Sequence, residues 1–340
     1  MRCPWLDRTQ CTKIYEKLSQ QHNISYGVPQ GSILGSILFI LYMNEIKTFV
    51  SNLNHPTISC TVVSYADDTQ LLFCGEFDDL QDIKRYTEVT TEKLIDVFTE
   101  LILKINITKT ACFLFSTKHQ RNQIPKEEMS ITIRNSKVPF SDSAKNLGLF
   151  LDSTMSFKKH ITSLYTSIHW KLTYINKCRR DLSFQAKKLL VENCALVKLN
   201  YCRELWGQMS RGKIDQIHKL NSFGAKIIFL KNKRDHSSHL IRHLEWLSEE
   251  ATSNYHLICM FFRVMHEKFN PNVTAPFTPA KNTRSSSRLP LTLPRPNTEF
   301  LRHSLIYRGT KLWLELPEEL TRPMSSATFK LKIRSYLLAD

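Results

Sequence analysis

A chain of 340 residues, 42% hydrophobic and 23% charged, is long enough to bury a sizeable core and has the composition of a globular protein, which argues against a disordered or fibrous one. Lys and Arg outnumber Asp and Glu by 47 to 31, a formal charge of +16 that suits a polyanionic partner, because cationic side chains displace counterions from a phosphate backbone. Nine cysteines, odd in number and without paired spacing, argue against a disulfide framework and for reduced thiols in an intracellular protein.

In chain order, Met1-Arg2-Cys3-Pro4-Trp5-Leu6-Asp7 has no apolar signal core. Tyr26-Gly27-Val28-Pro29-Gln30-Gly31-Ser32 is a loop shaped by two glycines and a proline, and Ser32 or Ser36 can cap the helix that follows. Leu34, Ile37, Leu38 and Leu41 are then expected to share its buried face. This apolar run, Ile33 to Met43, is broken by Gly35 and Ser36 and falls short of the ~20 residues that span a bilayer, so no membrane insertion is expected. Ile58 to Phe73 places β-rich runs on both sides of Ala66-Asp67-Asp68-Thr69, a β-hairpin with an acidic pair at or near its tip. Asn106 and Lys109 fall in a turn before an expected strand, Ala111 to Phe115, and Asn146 to Asp152 reads as a further strand with an acidic turn. From about residue 161 the pattern is mainly helical, with Leu189, Leu190, Cys194, Val197 and Tyr201 at helical spacing. Six prolines and a Ser285-Ser286-Ser287 run between basic residues mark 271–298 as a linker, and an amphipathic pattern returns after it.

The chemistry concentrates at Asp67-Asp68. Adjacent carboxylates repel each other and are costly to bury ionised, a cost that a divalent cation removes. An all-oxygen site suits Mg²⁺, and two such ions about 3.5–4 Å apart can activate a 3′-hydroxyl and stabilise departing pyrophosphate. The bland reading is a solvated turn; Tyr65-Ala66 in front and strands on both sides favour the metal site. Lys109 beside a metal-bound triphosphate could protonate the leaving group, although a loop lysine is more often simply solvated. Asp152 reads as a turn residue. His236, His239 and His243 recur at helical spacing, but no cysteine pair accompanies them, which favours a helix face over a metal site. Trp206, Trp246 and Trp313 sit among apolar neighbours and are expected in the core. The basic runs Lys177-Cys178-Arg179-Arg180, Lys187-Lys188 and Lys231-Asn232-Lys233-Arg234 are solvated faces that can track a nucleic-acid backbone.

Taken in order, the Gly27–Ser32 loop and its helix, the Tyr65–Asp68 hairpin, Asn106 with Lys109, and Leu147-Gly148 with Asp152 and Phe157 resemble the reverse transcriptases of non-LTR (LINE-like) retrotransposons. Leu199-Asn200-Tyr201, Trp206, Leu244-Glu245-Trp246-Leu247 and Leu312-Trp313 extend the resemblance, more loosely, to the jockey and CR1 lineages. The resemblance implies an α+β fold: a partial polymerase palm over 1–160, an antiparallel sheet with helices, then a thumb-like helical region over 161–270. The linker 271–298 and a helical segment 299–340 complete the chain. It implies catalysis and metal binding at Asp67 and Asp68, with Lys109 as general acid. Template and nucleotide would meet Gly27, Pro29, Gln30, Gly31, Tyr65 and Asn106, and Leu147 and Gly148 would grip the primer. The cofactor implied is Mg²⁺; the partners are an RNA template, a DNA primer or RNA–DNA duplex, and dNTPs, met in the nucleus or cytoplasm.

Two departures stand out. Ser36 takes the place of a proline usual in the family, and residues 1–25 supply no strand bearing the family's first catalytic aspartate, since Asp7 lies in a different context. The fingers are missing as well. The expectation is a chain with little polymerase activity on its own; the alternative is a non-catalytic, nucleic-acid-binding relic of a mobile element.

Overall fold

In a computed structural model the chain divides into two units, Met1–Asp142 and Ser143–Asp340. Residues 8–24, 27, 31–125, 128–207, 211–266, 291 and 293–339 are described. Helix and strand are mixed, as expected of an α+β chain. Among the described residues every sheet is a two-stranded antiparallel ribbon, so the expected palm sheet is represented by separate hairpins.

The first unit opens with a ribbon not anticipated from the sequence, in which β1 (Arg8–Gln10) pairs with β4 (His22–Ile24) and β2 (Lys13–Ile14) with β3 (Lys17–Leu18). Helix α1 (Ile33–Ser51) follows, and Ser32 is its cap: the Oγ accepts from the Gly35 N–H at 3.2 Å. Strands β5 (Ser59–Tyr65) and β6 (Asp68–Cys74) form the expected hairpin, followed by α2 (Leu80–Glu100) and the short α3 (Lys118–Gln123). Strands β7 (Ser130–Ile133) and β8 (Ser136–Pro139) close the unit. Alternation along β5 and β6 turns Val62 and Leu71 inward, where they pack with Met43 and Ile46 of α1 and Leu94 and Phe98 of α2.

That packing overturns one expectation. Leu34, Ile37, Leu38 and Leu41 are 40–64% exposed rather than buried. The helix seats mainly its later turns, through Phe39, Met43, Ile46 and Phe49, and in its first turn only Gly35 is buried. The apolar run also continues further than expected. At 19 residues α1 is long and apolar enough to cross a membrane by length and composition, although its C-terminal half is the part built into this core. A second correction concerns Ala111–Phe115, which forms only a single bridge, Cys112 to Phe140, instead of a strand.

The second unit begins with the hairpin β9 (Ser143–Asn146) and β10 (Leu149–Asp152) and continues into α4 (Lys158–Lys177). After α5 (Phe184–Leu189) a π-helical turn (Leu190–Ala195) and a 3₁₀ turn (Leu196–Asn200) lead to α6 (Arg203–Trp206). The stretch is helical as read, but Val191, Ala195 and Leu199 are the buried positions, while Leu189, Val197 and Tyr201 face outward. Helices α7 (Arg211–Ile228) and α8 (Ser238–His243) complete the first core of this unit, and α9 (Glu249–His266) follows. Residues 271–290 and 292, most of the expected linker, lie outside the described residues. The helices Leu305–Glu315 and Ser326–Ala339 then build a second core on α9, where the Phe262 and Phe329 rings stack at 4.0 Å. Trp206 and Trp313 are buried, and the Trp246 indole N–H donates to Glu192 at 2.8 Å, so the three tryptophans pack as expected.

At the junction of α6, α7 and α9 lies a buried ion pair. The Arg203 guanidinium meets the Glu249 carboxylate at 2.8 Å and also donates to the Glu249 carbonyl at 3.0 Å and to Ser253 Oγ at 3.1 Å. Asn221 of α7 donates to the other Glu249 oxygen. The guanidinium carbon stands 5.1 Å from the Trp206 ring centroid. Removing one partner strands the other charge in the interior. Arg203→Ala or Glu249→Ala is expected to lower stability by about 3–5 kcal/mol, read by urea unfolding. Nearby, burial first, then the positive charges of Arg203 and Lys330, push the His256 imidazole down from its ordinary 6.5 to about 4. The fold holds it neutral while the unfolded chain protonates it, so the stability it confers is complete above pH 6.5 and is lost as pH falls toward 4. His256→Gln is expected to flatten this part of the stability–pH profile in unfolding titrations.

Candidate active site

The hairpin register places Tyr65 opposite Asp68, which leaves Ala66 and Asp67 as a two-residue loop. Ala66 takes φ 52°. A positive φ at the first loop position lets the turn follow the right-handed twist of its strands, a position glycine fills most easily. An alanine there carries strain of about 1–2 kcal/mol. Tight pairing on both sides supports that strain, and the same turn projects Asp67 at the tip.

Side-chain alternation then sorts the two faces. Val62 and Leu71 point into the core, whereas Val63, Tyr65, Asp68 and Leu72 lie on the exposed face. Asp67 and Asp68 are both exposed, and neither carboxylate has a hydrogen-bond or ion-pair partner among the described residues. Two adjacent carboxylates without a partner among the described residues form an oxygen donor set of the kind divalent cations take. No group of three or more His, Cys, Asp or Glu able to hold a metal occurs among the described residues, the His236–His243 run included.

The other residues singled out by sequence fall in three places. Asn106 caps the 3₁₀ turn Ile107–Lys109: its Oδ1 accepts from the Lys109 N–H at 3.3 Å and the Thr108 hydroxyl at 2.6 Å. Both Asn106 and Lys109 are exposed. Leu103 and Ile105, just before them, pack in the same core as Val62 and Leu71, so one cluster of apolar side chains supports both the turn and the hairpin. Gly27 and Gly31 have φ 82° and 85°, with nothing within 4 Å of the place a Cβ would occupy. Arg8 donates to the Gly27 carbonyl at 2.6 Å. Pro29 and Gln30 lie outside the described residues.

In the second unit, Leu147 and Gly148 are the loop of the β9–β10 hairpin, both with positive φ, 44° and 89°. The Tyr201 hydroxyl donates to the Leu147 carbonyl at 2.6 Å, and a Cβ on Gly148 would lie 3.3 Å from the Tyr201 ring. Tyr201 is thus a support for this loop that sequence spacing did not single out as such. Asp152 ends β10 and accepts from the N–H and hydroxyl groups of Thr154 and Ser156. Partial burial raises its carboxyl, but these hydrogen bonds prevail and hold it below the ordinary range, as befits a turn residue.

Comparison with known proteins gives likenesses to set beside this geometry. Residues 1–151 match the family described as reverse transcriptase (RNA-dependent DNA polymerase). The chain is 26% identical over 225 residues, 64% of its length, to the Drosophila melanogaster protein named "Probable RNA-directed DNA polymerase from transposon X-element", and covers 23% of that protein. It is 27% identical over 206 residues, 58% of its length, to the RNA-directed DNA polymerase from mobile element jockey of Drosophila funebris, and covers 21% of it. To the retrovirus-related Pol polyprotein from type-1 retrotransposable element R1 2 of Nasonia vitripennis it is 22% identical over 184 residues, covering 53% of this chain and 43% of that one. The chain spans about a fifth of the length of the two Drosophila relatives.

The strained tip offers a direct test. Ala66→Gly is expected to leave stability unchanged or raise it by up to ~1 kcal/mol, since glycine relieves the positive φ but adds chain entropy. A branched Cβ has no such relief, and Ala66→Val is expected to cost about 1–2 kcal/mol, both read from urea midpoints.

Proposed function

We propose, from the premise that residues 1–151 carry a reverse transcriptase domain related to those of non-LTR retrotransposons, that the Tyr65–Asp68 hairpin is its centre for RNA-directed DNA synthesis. The observation that carries this reading is the tip itself: two exposed, unpartnered carboxylates, Asp67 in a strained two-residue loop and Asp68 at the start of β6. Asp67 is the principal metal ligand and Asp68, one position on, assists. Bound there, divalent cations, with Mg²⁺ suited to the all-oxygen donors, supply activation of a primer 3′-hydroxyl and neutralisation of the leaving pyrophosphate. Lys109 hands a proton to that pyrophosphate from its capped turn. Tyr65, on the same face as Asp68, lines the nucleotide site with Asn106. Gly27 and Gly31 let backbone approach template and nucleotide closely, with Pro29 and Gln30 between them. Leu147 and Gly148, braced by Tyr201, hold the primer end. The partners are an RNA template, a DNA primer and dNTPs.

Two carboxylates alone bind a divalent cation weakly, and geometry is most of phosphoryl-transfer catalysis. The test therefore has two readouts. Mn²⁺ binding, followed by water-proton relaxation, is expected to weaken in both Asp67→Asn and Asp68→Asn. RNA-templated primer extension in Mg²⁺, at whatever level the 340-residue chain sustains, is expected to drop by on the order of 100-fold in Asp67→Asn. Equal Mn²⁺ binding by wild type and both variants overturns the assignment.

A further inference from the structure

Helix α4 has two faces of opposite character. Ile161, Leu164, Ile168, Leu172 and Ile175 enter the core. At 3.6 residues per turn the opposite stripe reads Lys159, Ser163, Thr166, Trp170, Tyr174 and Lys177. Trp170 is 59% exposed and Tyr174 64%, although the helix is otherwise well packed. Their ring centroids stand 6.5 Å apart with planes inclined by 35°. Lys177 Nζ lies 5.3 Å from the Tyr174 centroid. Lysines from other elements line both flanks: Lys198 Nζ reaches Ser167 Oγ at 3.0 Å on one side, and Lys213 Nζ reaches Thr162 Oγ1 at 3.2 Å on the other. The helix contains no Asp or Glu. Past its end the chain continues into Arg179 and Arg180.

We propose that this face of α4 binds a single strand of nucleic acid, with bases stacking on Trp170 and Tyr174 and phosphates running along the flanking lysines. The inference goes beyond the hairpin reading: it concerns the second unit and needs neither Asp67 nor Asp68. Exposed ring faces offer their energy to unstacked bases, and a duplex has both faces of each base already covered. Charge selects the partner. Lysines on both flanks and the polar Ser163 and Thr166 further along the same stripe match a polyanion with planar bases, not an apolar protein surface.

The test is fluorescence anisotropy of the full chain with end-labelled 12-nucleotide oligo(rU), oligo(dT) of equal length and a blunt duplex of that length, over a range of salt. Trp170→Ala and Tyr174→Ala are each expected to weaken single-strand binding roughly 5- to 100-fold, while Trp170→Phe keeps most of it. Lys198→Ala and Lys213→Ala are each expected to reduce the slope of log affinity against log salt by about 0.7. Equal affinity for the two oligonucleotides assigns the face to either strand, and tighter binding of oligo(rU) assigns it to RNA; both support the stacking surface. Because the rings are solvent-exposed, urea midpoints of the aromatic variants are expected to match the wild type, which separates lost binding from lost folding. The proposal is overturned if Trp170→Ala binds as the wild type does, if the duplex binds as tightly as the single strands, or if sedimentation shows self-association that Trp170→Ala abolishes.

Discussion

A guanidinium in a protein interior must keep its carboxylate, and in the second unit that requirement falls on Arg203. The interior position is tolerable only because Glu249, Ser253 and Asn221 satisfy it and one another, and because Trp206 covers the guanidinium face. Three helices are tied to one point by this network. Trp206 in turn donates its indole N–H to the Tyr201 carbonyl at 2.8 Å and meets the His160 ring of α4 edge-on at 5.5 Å. The pose of Tyr201, which supports the Leu147–Gly148 loop, and the rotation of α4 about its axis thus share one anchor. With the isoleucines of α4 held inward, Trp170 and Tyr174 have no course but outward.

The hairpin of the first unit follows a different physical logic. Its inner face is ordinary core, Val62 and Leu71 against two helices, and supplies the stability that the tip spends on strain. The outer face keeps apolar Val63, Tyr65 and Leu72 in the open beside Asp68. The carboxylate pair at this tip has no counter-charge among the described residues, so its repulsion is left to solvent, salt or a bound cation. Strain at Ala66 and the adjacency of Asp67 and Asp68 are both unfavourable for the isolated chain, and both are features the proposed metal site would use.

The cationic excess lies in the second unit: residues 143–340 carry 32 Lys and Arg against 15 Asp and Glu, whereas residues 1–142 carry 15 against 16. A +16 chain attracts phosphate at long range, but local geometry decides what is held. At the hairpin the proposed reading asks acidic oxygens to accept metal and, through it, triphosphate. On α4, lysines frame aromatic rings without any acid on the same helix. The two surfaces ask for different parts of the same polymer chemistry, one for a reacting end and the other for unpaired bases.

Local pattern was enough to place the acidic hairpin, the Asn106 turn and the core tryptophans and to narrow the α1 cap to Ser32 or Ser36, because turn chemistry, capping and apolar neighbours act over a few residues. Among those tryptophans the sequence singled out Trp206, Trp246 and Trp313 and passed over Trp170, whose neighbours include apolar and polar residues alike. The face that α1 buries was misjudged for a related reason: a helix apolar on most sides carries no periodic mark of which stripe will find a partner. Ala111–Phe115 has strand composition, yet only one bridge forms, since a strand also needs a neighbour of matching length. Local pattern determined most of the elements, and the order of the motifs carried the resemblance to a family of chemistry. Which side of each helix meets solvent, and so where Trp170, Tyr174 and Leu34 point, was decided by the tertiary structure, because burial is a property of pairs of surfaces brought together from distant parts of the chain.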